Sequence, residues 1–281
     1  MPSMKPRSRF AGALVVLAAV WLGGCKDFGD VTGSIAGSSS ATMPTEPEAL
    51  RAYADHWGKI YNDKPGEKYA SINYARALRG LTRYDEAAAV MQAAAVKAPR
   101  DFEVLGEYGK ALADKGDLNQ AKDVLSRSYP SDRPRWAIMS VQGSVADRLD
   151  DHEGAQAFYR AALKIAPDEP SVLCNLGLSY ALSKNLGPAE ETLRQAAANP
   201  KADARVRQNL ALILALEGKF GEAEEVSRHD MSPDEAASNV AAIRTMIAQN
   251  DSWRALQRGG GKRTTYAAPE HAPNQPAANP S

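Results

Sequence analysis

Residues 68–101 read KYASINYARALRGLTRYDEAAAVMQAAAVKAPRD, and the same 34-residue pattern then recurs four times without a change of register. The five units begin at residues 68, 102, 136, 170 and 204. Position 8 of successive units holds Ala75, Gly109, Gly143, Gly177 and Ala211, and position 20 holds Ala87, Ala121, Ala155, Ala189 and Ala223. Ten small residues in phase predict two helices per unit that cross too closely for a side chain larger than methyl.

Larger side chains occupy the positions around these crossings, as Tyr74, Leu78, Tyr84 and Met91 do in the first unit. A 34-residue unit of this kind is typical of the tetratricopeptide (TPR) repeat, a helix–turn–helix whose copies stack into a solenoid. We therefore predict an all-α fold, a TPR superhelix in which each unit buries its apolar face against its neighbours. The repeat itself carries no chemistry, so it predicts a recognition scaffold.

Incomplete units flank the array. In a predicted half-repeat, Tyr53, Trp57, Ile60 and Pro65 stand at positions 20, 24, 27 and 32. This half-repeat supplies a second helix without a first, and we interpret Trp57 as part of a cap rather than as a ligand anchor. At the other end, Ser232-Pro233-Asp234-Glu235 is a capping box with proline at the first helical position, and it predicts a helix that closes the stack.

The N-terminus has the pattern of an export signal. Three basic residues precede an apolar run from Phe10 to Leu22, which is shorter than the ~20 residues a helix needs to cross a bilayer core. The run ends in Leu22-Gly23-Gly24-Cys25, which resembles the bacterial lipobox, Leu-x-Gly-Cys. The resemblance implies cleavage before Cys25 and a covalent lipid on this residue. The alternative is a generic signal peptide with an incidental cysteine.

Acylation would determine where the protein lies, because several acyl chains, at about 0.8 kcal/mol per buried methylene, anchor a protein stably. Lys26 follows Cys25, whereas lipoproteins retained in the inner membrane usually carry aspartate there. The resemblance therefore implies the periplasmic face of the bacterial outer membrane. Cys174 is then left without an intrachain partner, and we expect it to be a small, partly buried apolar residue.

These observations give the predicted organisation of the chain. It comprises a cleaved signal peptide (1–24), a lipidated cysteine with a flexible tether (25–44), a TPR solenoid (45–258) and a disordered tail (259–281). The solenoid divides into the half-repeat 45–67, the repeats 68–101, 102–135, 136–169, 170–203 and 204–231, and the capping helix 232–258.

Composition and spacing argue against several classes of function. Lys+Arg and Asp+Glu both number 34, so no basic excess favours nucleic-acid binding. The four histidines have no cysteine or carboxylate at metal-ligand spacing, and the chain has neither a phosphate-binding loop nor a serine elbow. We expect a protein that is not an enzyme and that, apart from the lipid on Cys25, has no cofactor, metal or small-molecule substrate.

The concave side of the solenoid is the predicted binding surface, because positions 2, 5, 6, 9, 12 and 13 of each first helix face it in TPR superhelices. The predicted partner-binding groove consists of Asn73, Arg76, Arg79, Glu107, Lys110, Asn175, Leu178, Leu182, Asn209 and Leu212. A polar mouth thus leads to an apolar floor, which suits an amphipathic segment of a partner protein. Alternatively, Leu212 and Leu216 pack against the C-terminal helix.

Two segments resemble the TadD-like TPR lipoproteins of the tight-adherence (Tad) pilus machinery. They are Asn73-Tyr74-Ala75-Arg76-Ala77-Leu78-Arg79 and Ala237-Ser238-Asn239-Val240-Ala241-Ala242-Ile243-Arg244. The resemblance implies an outer-membrane scaffold or pilotin-like factor for the Flp pilus apparatus, with the secretin or other Tad components as partners. The alternatives are a general envelope-assembly scaffold, serving β-barrel or peptidoglycan machinery, and an enzyme with a TPR-borne site.

Overall fold

The computed structural model describes residues 43–259, and the side chains of residues 43–249. The signal peptide, Cys25, almost all of the tether and the tail beyond residue 259 therefore lie outside the described residues. Within the described range the chain forms helices and no strand. The helices are α1 (Pro47–Asp63), α2 (Lys68–Gly80), α3 (Tyr84–Lys97), α4 (Phe102–Lys115), α5 (Leu118–Ser126), α6 (Trp136–Arg148), α7 (His152–Ile165), α8 (Pro170–Leu182), α9 (Leu186–Ala198), α10 (Ala204–Leu216), α11 (Phe220–Ser227) and α12 (Pro233–Gly259).

Five helix pairs follow the 34-residue register, from α2–α3 to α10–α11. Each helix packs against the next one along the chain, and each first helix also contacts the first helix of the following pair. This arrangement is a solenoid in which every unit is held by its neighbours. The predicted all-α TPR superhelix is confirmed.

The small residues lie where the two helices of a unit cross. All five alanines at position 20 are fully buried. A methyl group added at Gly143 would lie 2.5 Å from the ring of Tyr159, and one added at Gly109 would lie 2.5 Å from Leu125 Cγ. Both contacts are far inside van der Waals distance, so glycine sets the spacing of these helix pairs.

The turn between the two helices repeats as faithfully as the crossings do. Position 15 has a positive φ in every unit, at Thr82, Gly116, Asp150, Lys184 and Gly218. The amide of position 16 donates to the carbonyl of position 11 each time, from Arg83 to Leu78, Asp117 to Leu112, Asp151 to Ala146, Asn185 to Tyr180 and Lys219 to Leu214. This bond closes a Schellman-type helix end. Only two units supply the glycine that this conformation favours.

The junction between the second and third units departs from the repeat. Helix α5 has nine residues, whereas the corresponding α3 and α7 have fourteen. After it, the Tyr129 hydroxyl donates a hydrogen bond to Gln142 Oε1 at 2.7 Å. Gln142 stands at a position where other units have a larger apolar or aromatic residue, so this bond satisfies a polar group that the third unit buries.

Helix α12 packs as the first helix of a sixth unit. It contacts both α11 and α10. In the same way, each first helix from α4 onward contacts the second and the first helix of the unit before it. Its buried residues Ala236, Val240 and Ile243 match positions 3, 7 and 10 of a unit that begins at residue 234. A strict 34-residue repeat would begin at residue 238. The difference reflects α11, which ends after eight residues.

Candidate binding groove

Four of the predicted groove residues form one ion-pair cluster across α2 and α4. Glu107 lies at its centre, with Oε1 at 3.1 Å from Arg76 Nη2 and at 2.9 Å from Lys110 Nζ. Arg79 Nη1 lies 3.8 Å from Glu107 Oε2, and Arg79 Nε lies 2.6 Å from Asp114 Oδ2. The polar mouth of the groove is therefore a network that joins the first two units.

Glu107 is only 5 % exposed. Burial alone would raise the pKa of this carboxyl, but Lys110, Arg76 and Arg79 lower it well below its usual range. The carboxylate therefore remains charged at neutral pH. The paired charges tie α2 to α4 at this end of the predicted groove.

The three predicted asparagines bridge helices within the array. Asn73 Oδ1 accepts a hydrogen bond from the Tyr53 hydroxyl at 2.9 Å, which ties α2 to α1. Asn175 Nδ2 donates to Ser140 Oγ at 3.2 Å. Asn209 Nδ2 donates to the sulfur of Cys174 at 3.1 Å, and Cys174 is more buried than the partial burial expected from the sequence. Asn175 and Asn209 thus each join a first helix to the first helix of the preceding unit.

The predicted leucines lie toward the C-terminal end. Leu178, Leu182 and Leu212 are all half-buried. Leu178 and Leu212 pack against the apolar cluster of the last two complete units. Leu212 also lines a small hollow with Val240 and Ile243, so α12 covers this end of the surface. Leu178 and Leu182 lie on α8, in the unit before the one that α12 covers.

A second polar cluster joins the third and fourth units, and sequence reasoning did not identify it as a unit. The Asp147 carboxylate accepts hydrogen bonds from Ser179 Oγ at 2.8 Å and from the Tyr159 hydroxyl at 3.1 Å. His152 Nδ1 lies 2.9 Å from Asp147 Oδ1. Burial raises the pKa of Asp147 despite these contacts. The available signal was His152, which occupies a position that is aromatic or leucine in the other complete units.

Two features that would indicate other functions are absent from the described part of the chain. None of the described helices combines the length and apolar character that a membrane-spanning helix requires. Across the described residues, no group of three or more His, Cys, Asp or Glu side chains is arranged to hold a metal ion.

Comparison with known proteins agrees with the geometry. Residues 138–169 match the family model for the tetratricopeptide repeat. This match falls within the third unit, the one that departs most from the pattern at Gln142 and His152. No curated protein matches the chain at a significant level.

Solved structures share the fold. The chain is similar to PilW, described as a widely conserved type IV pilus biogenesis factor, with a TM-score of 0.61 and 16 % identity over 69 % of this chain and 91 % of PilW. It is similar to Cut9 with Hcn1 of the APC/C (TM-score 0.59, 12 % identity, 74 % of this chain and 41 % of the other). It is also similar to a thermophilic TPR protein of Thermus thermophilus (TM-score 0.53, 21 % identity, 62 % of this chain and 96 % of the other). The chain is thus a TPR solenoid, a fold that serves as a scaffold for protein–protein interaction.

Proposed function

We propose that this protein is a non-catalytic, lipid-anchored TPR scaffold that helps to assemble the Flp (Tad) pilus secretion machinery at the periplasmic face of the outer membrane. The binding role rests on the ion-pair cluster at Glu107 and the half-buried leucines Leu178 and Leu182, which the repeat assigns to one concave surface. The lipobox at Cys25 and the two TadD-like segments support the location and the pathway. The similarity to PilW supports only the suitability of the fold.

In the proposed mechanism, Cys25 anchors the chain and the solenoid holds a pilus component, such as the secretin, in its groove. Apolar side chains of the partner would become buried against Leu178 and Leu182, at roughly 1.5–3 kcal/mol for each side chain that is fully buried. The charges around Glu107 are already paired, so the partner need not neutralise them. Polar groups of the partner at that end would set its orientation.

The groove is tested by complementing a deletion strain. Deleting the gene is expected to abolish surface pili and secretin multimers, and the full chain should restore both. Leu182→Asp should restore neither, because it places a charge on the apolar floor where the partner docks. Pili are counted by electron microscopy, multimers are followed by electrophoresis without heating, and the purified variant is checked for an unchanged melting temperature.

Val96→Asp is the matched control, because Val96 is an apolar side chain that is 76 % exposed on a second helix. This variant should restore pili fully. Normal pili in the deletion strain would refute the pilus role. Normal pili with Leu182→Asp would refute the groove. If the chain co-purifies only with β-barrel or peptidoglycan machinery, the general envelope-assembly role is the better description.

The anchor is tested separately by Cys25→Ala. Without the sulfur there is no site for the diacylglyceryl group, so the protein should leave the outer-membrane fraction. Fractionation and mass spectrometry of the N-terminus measure this, with Cys174→Ala as the cysteine control that should remain lipidated. Recovery of Cys25→Ala in the outer membrane at the wild-type level would contradict the proposed anchor.

A further inference from the structure

The array begins with a second helix and ends with a first helix, so each end is one half of a repeat. On α1, Tyr53, Trp57 and Ile60 occupy positions 20, 24 and 27. In the complete units, the residues at positions 20 and 24 pack against the first helix of the same unit, as Leu125 packs against Gly109. No such helix precedes α1 among the described residues. Tyr53 and Trp57 are partly exposed, and Ile60 is 38 % exposed.

Helix α12 has the opposite deficiency. With its unit beginning at residue 234, Ala237, Ala241 and Ala248 stand at positions 4, 8 and 15, and Arg244 stands at position 11. In the complete units, position 8 lies on the side of the first helix that faces the second helix of its own unit, where Gly143 meets Tyr159. Because α12 continues as a helix beyond the usual turn, positions 4, 11 and 15 extend this same side. All four residues are exposed on α12. This face is nearly flat because three of its four residues are alanines.

The face of α1 carries large side chains and the face of α12 carries small ones, so the two are complementary in shape. Complete units place alanine at position 20, whereas α1 places Tyr53 there, so a partner helix must give room to two aromatic rings. Helix α12 gives that room with alanines at three of the four places on this face. Its Arg244 already lies over an aromatic ring, with the guanidinium carbon 5.2 Å from the centre of Phe220. A guanidinium at this position can also stack on Tyr53 or Trp57.

We propose that copies of this chain associate head to tail, with α12 of one protomer packed on α1 of the next. The two halves then form one complete repeat, and the solenoid continues through the joint. Such an interface is heterologous, because it uses different surfaces on the two protomers. It closes into a ring or extends as a filament, depending on the rotation from one copy to the next.

The joint is tested with arginine substitutions in the detergent-solubilised full chain, by light scattering over a range of protein concentrations. Wild type should show association that increases with concentration. Ala241→Arg should weaken the association by about tenfold or more, because the long side chain would fill the space that alanine leaves for the rings of Tyr53 and Trp57 of the neighbour. Ala242→Arg is the matched control, since Ala242 is the adjacent exposed alanine on the concave side of α12. This control should associate like wild type.

A mixing experiment establishes the head-to-tail orientation. Ile60→Arg blocks the α1 face and leaves α12 intact, whereas Ala241→Arg does the reverse. At a concentration where each variant alone is monomeric and wild type associates, an equimolar mixture should form dimers and nothing larger, because one functional joint remains per pair. A monomeric wild type, wild-type association of Ala241→Arg, or a mixture that stays monomeric would each overturn the proposal. So would an unfolded Ala241→Arg, because it would contradict the exposure of this face.

Discussion

Replacing Glu107 with glutamine is expected to lower the free energy of unfolding by about 3 kcal/mol, the cost of leaving buried cations without their counter-charge. Lys110 is almost as buried as Glu107, and both Arg76 and Arg79 direct their guanidinium groups at the same carboxylate. Chemical denaturation at pH 7 measures the change. Glu103→Gln is the matched control on the same helix, because that side chain is 41 % exposed where it pairs with Lys68. It should cost less than about 1 kcal/mol.

Glu107→Gln is also expected to change how the free energy of unfolding depends on pH in the acid range. The pKa of Glu107 is lower in the folded than in the unfolded chain, so its stabilisation is complete above the unfolded value, about 4.3. The stabilisation is lost as the pH falls below that value toward the folded pKa. Between pH 5 and pH 3, wild type should therefore lose more stability than Glu107→Gln. If wild type and Glu107→Gln lose equal stability, protonation of Glu107 does not contribute to the acid sensitivity.

Replacing Gly143 with alanine is expected to destabilise the protein by about 1–2 kcal/mol. Overpacking of this kind costs roughly 1–3 kcal/mol, which outweighs the gain of up to about 1 kcal/mol from alanine in a helix. The added methyl would lie 2.5 Å from the ring of Tyr159, which is buried. Gly109→Ala should act in the same direction through Leu125.

Gly187 supplies the opposite case within the same fold. It lies in α9, and an added methyl would meet nothing within 4 Å. Gly187→Ala should therefore raise the melting temperature slightly, by reducing the freedom of the unfolded chain. Thermal unfolding compares the melting temperatures of Gly143→Ala, Gly187→Ala and wild type. If Gly143→Ala is as stable as Gly187→Ala, the close crossing in the third unit is wrong.

The helix pairs could be predicted from the sequence because the small residues that cause their close crossing recur every 34 residues. Alanine or glycine at positions 8 and 20 recurs in five units, and each pair marks one crossing. Counting repeats misplaces the start of α12, because α11 ends after eight residues, whereas the capping box at residues 232–235 marks this start. The bond from Tyr129 to Gln142 likewise pairs two irregularities that are separate in the sequence.

The burial of the candidate groove residues could not be predicted from the sequence. The repeat predicts that Glu107 and Asn175 face the concave side of their helices, and in the structure both side chains are buried. The physical reason lies at position 5, where small residues such as Ser140 and Cys174 let successive first helices approach closely. The next asparagine then reaches back and bonds to them. Such contacts depend on the curvature of the superhelix, which no single unit encodes.

The joints between units are chemically unlike one another, although the units share one geometry. Charges around Glu107 join the first pair, the protonatable Asp147 cluster joins the third unit to the fourth, and mainly apolar packing joins the last units to α12. In a one-dimensional array, stability is the sum of such nearest-neighbour terms. Acidity, salt and temperature therefore act on different links of the chain. The order in which the solenoid opens is set by its surroundings as well as by its sequence.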